Sequence, residues 1–346
     1  MPEATGHVPT VRAAALTNYV AVAGSLGLDG PAMLREFGIE PKLLDGPENR
    51  IPASAVSRLL VESARRSDCE SFALMLAERR EFASLGPLSL LLRHESNLRT
   101  VVRSVISYQR LISDILELEF VEAGDEAHIL VAVSPGVANR QTIELVMALT
   151  GGFLGGAMFG GWRPAEVHFR YPPPADDSVH RRIFRAPLLF NRPFNGLVVA
   201  AATLDRENAY ADPGFVQHAQ SYVDLLTQEL PAPSLSDQVR ASISLLLPSG
   251  AATLARVARQ LGIHPRALQR RLASAGIGFT DLVEATRGNV ACELLADTDL
   301  PISEVAFLAG YSSSGSFSRW FAGKFGRPPR EWRLLKKVEP AIDQKG

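Results

Sequence analysis

The chain has 346 residues, of which 46% are hydrophobic and 21% charged, a composition typical of soluble globular proteins with about two domains. It contains no run of about 18 consecutive apolar residues, and its N-terminus lacks the apolar core of a signal peptide, so we expect a cytoplasmic protein without a membrane span. The two cysteines, Cys69 and Cys292, are far apart, which argues against a disulfide framework and against a cysteine-based metal site.

The net charge of −1 conceals an asymmetry between the two ends of the chain. Residues 234–346 contain 15 Lys and Arg against 10 Asp and Glu, whereas residues 1–233 contain 21 against 27. A basic end on an acidic body indicates a polyanionic partner for the basic end.

Helices precede a small sheet in the predicted elements of the first 230 residues. Apolar residues three and four apart predict helices over 52–66 and 97–112. The short runs 116–123 and 127–133 are separated by a turn that contains Gly and Asp, so they predict a β-hairpin. The further predicted elements are a helix over about 140–160, strands over 165–171 and 196–201, and a helix over about 213–229.

A Pro- and Ser-rich stretch, 230–237, coincides with the change in charge balance and predicts a domain boundary. We therefore predict an α+β N-terminal domain, with helices and a small, mainly antiparallel sheet, followed by an all-α domain. The predicted divisions are an N-terminal domain over 1–230, a linker over 231–237, a helical domain over 238–337 and a tail over 338–346.

The predicted helical domain contains an internal repeat. The segment LARVARQLGIHPRALQRRL (254–272) and the segment ISEVAFLAGYSSSGSFSRWF (302–321) share one apolar spacing, shifted by about 48 residues. The first helix of each unit ends at a glycine, Gly262 or Gly310, and a second helical pattern follows a short turn. Two such units predict two helix-turn-helix motifs.

The second helix of each unit has an apolar inner stripe and a small or polar outer face. Leu268 and Leu272 form the inner stripe in the first unit, and Phe317 and Phe321 form it in the second. At 100° per residue, the opposite face and its flank carry Arg266, Gln269, Arg270 and Ala273 in the first helix and Gly315, Ser318, Arg319 and Ala322 in the second. Arg and Gln match the edges of guanine and adenine, so both helices are candidate DNA recognition helices.

A third helix, 280–296, connects the two units. Its apolar residues are predicted to form one stripe, made of Leu282, Val283, Val290, Ala291, Leu294 and Leu295. A helix of this length spans about 24 Å, so it can hold two recognition helices about 34 Å apart, one turn of DNA. Arg287, on this helix, is interpreted as a structural or phosphate-contacting residue.

The last hundred residues resemble the DNA-binding domain of AraC-type (AraC/XylS) transcriptional regulators. The run ISEVAFLAGYSSSGSFSRWFAGKFGRPPREWR (302–333) carries the most specific part of the match, and VARQLGIHPRALQRRL matches the first unit. The resemblance implies an activator or repressor that binds double-stranded promoter DNA through Arg266, Gln269, Arg270, Ser314, Gly315, Ser318 and Arg319. Gly315 stands where relatives often carry a larger residue, so we expect the second unit to read less sequence than the first.

The N-terminal region, roughly 20–205, is similar to the regulatory domain called arabinose-binding in the subgroup of ornithine-utilisation and mycobacterial virulence regulators. The similarity lies in SDCESFALML, LGPLSLLLRHESNLRTVVRSVISYQRLI and HRRIFRAPLLFNRPFNGLVV. The founding arabinose regulator has a β-barrel sensor, and the helix-rich start of this chain argues against a pure barrel, so its sugar-binding residues are not carried over. The resemblance implies that 1–230 senses an effector and dimerises.

Candidate ligand sites in the N-terminal domain remain open at this stage. Four aromatic residues are expected either in a sensor pocket or in the plain core: Tyr108, Phe153, Phe159 and Trp162. Three basic residues are expected either to contact an acidic ligand or to lie in solvent: Arg93, His94 and Arg110. The glycine-rich stretch 150–162 lacks the lysine of a phosphate-binding loop, which leaves helix packing, a ligand cavity or nucleotide binding. The histidines lack metal-ligand spacing and no catalytic arrangement is legible, so we predict no metal, no cofactor and no enzyme activity.

The resulting hypothesis is a cytoplasmic, dimeric transcription regulator that controls promoters in response to a small-molecule effector. Its expected partners are promoter DNA, the effector, a second copy of the chain and RNA polymerase. Two alternatives remain open: a ligand-independent regulator whose N-terminal domain only dimerises, and an enzyme with a DNA-binding tail.

Overall fold

The computed structural model describes residues 8–134, 137–155, 161–230, 234–247, 250, 252–298 and 300–342. The chain divides after residue 231 into two compact units, each with its own hydrophobic core. None of the helices in the described ranges combines the length and the apolar character needed to span a bilayer.

The N-terminal unit begins with a layer of short helices. A two-stranded antiparallel ribbon, β1 (Thr10–Arg12) with β2 (Arg50–Pro52), ties the start of the chain to this layer. The helices are α1 (Tyr19–Ser25), α2 (Gly30–Glu36), α3 (Ala53–Arg66), α4 (Phe72–Glu78), α5 (Pro87–His94), α6 (Leu98–Ser107) and α7 (Gln109–Ile112). The prediction of a single helix over 97–112 is therefore wrong, because α6 ends before Tyr108 and α7 begins after it. The hydroxyl of Tyr108 donates to Asp224 Oδ1 at 2.6 Å.

A five-stranded sheet follows, in the order β3-β4-β7-β5-β6. The strands are β3 (Leu116–Ala123), β4 (Glu126–Val133), β5 (Glu166–His168), β6 (Leu188–Leu189) and β7 (Asn195–Ala200). All neighbours pair antiparallel except β5 and β6, which confirms the predicted α+β fold with a mainly antiparallel sheet. The predicted hairpin is β3–β4, and its turn uses Gly124 at φ +64°.

The core of the N-terminal unit lies around one long helix, α8 (Arg140–Gly155). It contacts β4 and β7 on one side and α3 and α4 on another. The last part of the predicted helix, 156–160, lies outside the described residues. The unit ends with α9 (Ser178–Phe184), α10 (Ala201–Leu204) and α11 (Pro213–Glu229), the last of which packs on α5.

The C-terminal unit is all-helical in its described residues. Its helices are α12 (Leu235–Leu246), α13 (Leu254–Gln260), α14 (Pro265–Ser274), α15 (Phe279–Asp297), α16 (Ile302–Leu308), α17 (Ser314–Phe325) and α18 (Pro329–Ile342). The first helix starts inside the predicted linker because Ser234 Oγ accepts from the amide of Asp237 at 3.2 Å and caps it. The last helix extends into the predicted tail, and 343–346 are not described.

Two small cores lie on either side of α15. The first joins α12, α13 and α14 to the start of α15 at Leu282 and Val283. The second joins α16 and α17 to the end of α15 at Ala291, Leu294 and Leu295. The prediction of one stripe along α15 is therefore wrong, because the apolar side chains serve two cores and only Val290 packs against both among the described residues.

Candidate nucleic-acid interface and regulatory cavity

The first helix-turn-helix is formed by α13 and α14. Gly262, at φ +64°, turns the chain after α13, and the Nδ1 of His264 accepts from the amide of Arg266 at 3.3 Å. This cap satisfies an otherwise free N–H at the start of α14. Leu268 and Leu272 are fully buried against the supporting helix, so the opposite face of α14 points outward.

The outward face of α14 presents its polar side chains to solvent. Arg266, Gln269 and Arg270 are exposed, and neither arginine forms an ion pair with a described residue. The structure therefore brings the three predicted base-reading residues of the first unit together on one free helical face.

The second helix-turn-helix is formed by α16 and α17, and its turn depends on Gly310. The backbone of Gly310 has φ +80°, and a Cβ there would lie 3.0 Å from the carbonyl oxygen of Leu247. Both the conformation and the space therefore require glycine. Ser313 then caps α17, since its Oγ accepts from the amide of Ser316 at 3.2 Å.

The outward face of α17 is made of small residues and one arginine. Ser314, Gly315 and Arg319 are exposed, Ser318 is half-buried, and Phe317 on the opposite side is fully buried. A Cβ at Gly315 would meet no atom within 4 Å, so this part of the helix surface is open. The four predicted residues share one side of α17, with Ser318 at its margin.

Glu284 connects α15 to the second recognition helix. Its Oε2 accepts from Trp320 Nε1 at 2.5 Å, and its carbonyl oxygen accepts from Lys324 Nζ at 2.6 Å. Arg287 lies 3.4 Å from Glu284 Oε1 and its guanidinium stacks 5.0 Å from the ring of Tyr311, whose pKa burial raises to about 12. These contacts support the structural interpretation of Arg287.

The C-terminal unit has many exposed cations without an acidic partner. Eight arginines are exposed and form no ion pair with a described residue: Arg256, Arg259, Arg266, Arg270, Arg271, Arg319, Arg327 and Arg330. Unpaired arginines are ready to contact phosphate groups, and each contact that releases a counterion strengthens binding to DNA.

Two capped recognition helices on one basic helical unit define a DNA-binding protein of the double helix-turn-helix class. Residues 257–334 match the family model of a helix-turn-helix domain, and residues 27–208 match that of the arabinose-binding domain of AraC transcription regulators. The chain belongs to the AraC family of transcription regulators and is a DNA-binding transcriptional regulator.

Known regulators align with nearly the whole chain. The HTH-type transcriptional regulator VirS of Mycobacterium tuberculosis is 30% identical, over 95% of this chain and 97% of its own length. The ornithine utilization regulator of Pseudomonas aeruginosa is 26% identical, over 94% and 96%. The crystal structure of the regulator CdpR from Pseudomonas aeruginosa aligns with 88% of this chain and 96% of its own, at 20% identity and a TM-score of 0.44.

The N-terminal unit contains a cavity of about 100 Å³ between its helices and its sheet. Its wall is largely apolar, with contributions from α3, α6, α8 and β3, and it includes the side chains of Arg12 and Arg80. Sequence reasoning missed both arginines, because neither lies in a motif and only the folded chain brings them to the cavity.

Only one of the predicted pocket residues in the described ranges lines the cavity. Phe153 lines the cavity, whereas Tyr108 and Trp162 are buried elsewhere in the core, with Trp162 Nε1 donating to Thr203 at 3.2 Å. Arg93 stacks on the ring of Tyr210. His94 Nδ1 donates to the carbonyl oxygen of Tyr210 at 2.9 Å, His94 and Arg110 are also outside the cavity wall, and Phe159 lies outside the described residues.

The glycine-rich stretch and the histidines are the remaining candidate ligand sites from the sequence. At Gly151 a Cβ would make ordinary van der Waals contacts with Phe184 and Leu197, at 3.7 and 3.9 Å, and at Gly152 it would meet no atom within 4 Å. His180 is fully buried and its Nε2 lies 2.9 Å from the buried carboxylate of Glu144. No group of three or more metal-ligating side chains occurs among the residues that the structure describes.

Proposed function

We propose that this regulator reads promoter sequence with the outward faces of α14 and α17 and changes its DNA binding when the N-terminal unit binds a small molecule. The observation that carries the DNA-reading part is the pair of capped helices whose inner faces are buried and whose outer arginines are exposed and unpaired. The cavity in the N-terminal unit supports the sensing part.

In the first unit, three residues contact base edges. Arg266 and Arg270 are matched to the O6 and N7 of guanine, and Gln269 is matched to adenine. They lie in the first two turns of α14, the part of a recognition helix that enters the major groove. This helix supplies most of the sequence preference.

In the second unit, Arg319 is the main base reader. Ser314 and Ser318 supply hydroxyl groups at its sides, and Gly315 lets the helix backbone approach the groove floor. The remaining exposed arginines and the N-terminal amides of the helices contact phosphates, which set affinity and orientation.

The test begins with genome-wide footprinting, which identifies the bound promoters, and continues with titration of one such promoter. Arg270→Ala and Arg319→Ala each weaken specific binding by about 1–3 kcal/mol, or roughly 5–150-fold, and relax the preference at one base position. Arg35→Ala is the matched control, because Arg35 is also exposed and forms no ion pair within the described ranges but lies in the N-terminal unit.

The outcomes separate the two recognition helices. Unchanged affinity and base preference for Arg319→Ala, with loss of both for Arg270→Ala, would make the second unit a docking element only. An absence of specific promoter sites at moderate salt would refute the proposed promoter recognition.

The regulator acts in the cytoplasm as a homodimer, and contacts with RNA polymerase decide between activation and repression. Its mass in solution tests the dimer. A thermal-shift screen of metabolites tests sensing, because a ligand-independent regulator shows no specific stabilisation. Reaction assays on the same protein test the alternative of an enzyme domain.

A further inference from the structure

Arg80 lines the cavity of the N-terminal unit, and no described residue neutralises its charge. It follows α4, its Nε is buried, and its side chain makes no hydrogen bond or ion pair with any described residue. Burial, reinforced by the nearby charge of Arg12, lowers the pKa of Arg80 to about 10, so it is a cation at neutral pH.

The second arginine of the wall is fully occupied. Arg12 Nε donates to Glu48 Oε2 at 2.8 Å, its Nη2 donates to the other oxygen of that carboxylate, and its Nη1 donates to the carbonyl of Ser84 at 3.0 Å. Glu48 therefore neutralises Arg12, whereas no residue of the described ranges compensates the positive charge of Arg80 at the cavity.

The hydroxyl groups of the wall already have partners. Ser57 Oγ donates to the carbonyl of Val137 at 3.0 Å, and Thr150 Oγ1 donates to the carbonyl of Val146 at 2.8 Å. No Asp, Glu or Lys occurs among the described residues that line the cavity. The cavity therefore presents one cation and an apolar surface to whatever enters it.

An unpaired cation in an apolar environment destabilises a protein unless a counter-ion arrives. We propose that the cavity binds a small monocarboxylate with an apolar body, whose carboxylate pairs with Arg80 and whose hydrocarbon part fills the apolar wall. This inference rests on the proposed function, in which the N-terminal unit senses an effector.

The size and polarity of the cavity limit the ligand further. Its volume of about 100 Å³, against roughly 10–15 Å³ for a single water, corresponds to roughly seven to ten heavy atoms. A sugar of this size would need a hydrogen-bond partner for each hydroxyl group, and the described wall offers almost none. A carboxylate on a short alkyl or aryl body matches both features, because arginine binds carboxylates with two parallel hydrogen bonds.

The test is calorimetric titration of the full chain with octanoate, 1-octanol and octylamine, which share a tail and differ in head group. Octanoate binds with one-to-one stoichiometry and about tenfold or more tightly than 1-octanol, whereas octylamine does not bind. Arg80→Gln reduces octanoate affinity by about tenfold or more, and Arg80→Lys, which keeps the charge, restores part of it. Arg79→Gln is the matched control, since Arg79 is the exposed neighbour, and it leaves the affinity unchanged.

Equal binding of octanoate and 1-octanol, or an octanoate affinity that is unchanged in a folded Arg80→Gln variant, would overturn the inference. So would an absence of binding throughout the series from butanoate to dodecanoate. The head-group comparison uses the unaltered chain, so it decides the matter even if the variant does not fold. Octanoate that binds at Arg80 without changing promoter affinity would support the site and refute effector control. Promoter binding that responds only to another class of compound would support effector control and refute the carboxylate site.

Discussion

Glu117 is a half-buried acid on β3, between Leu116 and Leu118, which line the cavity. Its Oε1 accepts from Ser134 Oγ at 3.5 Å, and burial raises its pKa to about 7, from an ordinary value of 4.5. The folded chain therefore holds this proton between about pH 4.5 and 7, where the unfolded chain has released it. The stability contributed by the protonated form is complete below about pH 4.5 and is lost as the pH rises to about 7.

Glu117→Gln removes this loss, because glutamine stays neutral. We expect the variant to gain up to about 3 kcal/mol over the unaltered chain between pH 5 and pH 8, measured as the difference between their urea-unfolding free energies at each pH. Burial also raises the pKa of Glu119, so the unfolding free energy of the variant still falls with rising pH, but less steeply. Glu40→Gln is the control, because Glu40 is exposed and has no ion pair with a described residue, and a difference independent of pH would contradict the argument.

The position of Arg80 shows which residues escape sequence reasoning. The exposed Arg79 and the cavity-lining Arg80 are adjacent in one arginine pair, and no local pattern distinguishes them. Their difference arises because α3, α6 and α8, far apart in sequence, close around one of them. A ligand site built by such long-range packing has no signature in a single sequence.

At the scale of elements, Glu284 is the main polar link between α15 and α17. Glu284→Ala removes the acceptor of Trp320 Nε1 and the partner of Arg287. We expect a loss of about 1–3 kcal/mol in the stability of the C-terminal unit and weaker promoter binding through a displaced second recognition helix. Urea unfolding and promoter titration measure the two effects.

Glu284→Gln is the matched control for that change. Glutamine keeps an oxygen acceptor for Trp320 and lacks the charge, so we expect it to retain most of the stability. Equal losses in both variants would show that the charge matters and the acceptor does not. Unchanged promoter binding in Glu284→Ala would contradict the positioning role of this link.

Local chemistry explains which elements were predictable from the sequence. Gly310 and Ser313 have short-range roles, a positive φ and a helix cap, and the turn at Gly310 was predicted from the sequence. The candidate recognition residues on α14 and α17 follow from helical periodicity, except Ser314, which the family resemblance implies. The faces that the sequence predicts to be outward are exposed, apart from the half-buried Ser318 and Ala322.

Elements that depend on distant partners were missed. The strand β6 has only two residues, Leu188 and Leu189, and exists because β5 lies beside it. The break at Tyr108 accompanies a hydrogen bond to Asp224, 116 residues away. The division of the α15 stripe depends on which helices pack on each end, which periodicity does not specify.

At the scale of the whole molecule, the acidic N-terminal unit and the basic C-terminal unit have separate cores, and the proposed ligands, a carboxylate and promoter DNA, are assigned to different units. Regulation requires that the two binding events be coupled. A ligand shifts an equilibrium only by the difference in its affinity for the two states, so octanoate must favour either the DNA-competent or the DNA-incompetent state.

Coupling of this kind is reciprocal. If octanoate changes promoter affinity by some factor, then promoter DNA changes octanoate affinity by the same factor, and couplings of this type are roughly 5–150-fold. We expect the two factors, measured by titrating each ligand with and without saturating amounts of the other, to agree. Arg80→Gln reduces the effect that a fixed, subsaturating amount of octanoate has on promoter affinity, because the more weakly bound ligand occupies less of the cavity. Arg270→Ala weakens promoter binding while octanoate affinity without DNA stays unchanged, and a variant that broke this separation would contradict the assignment of the two sites to two units.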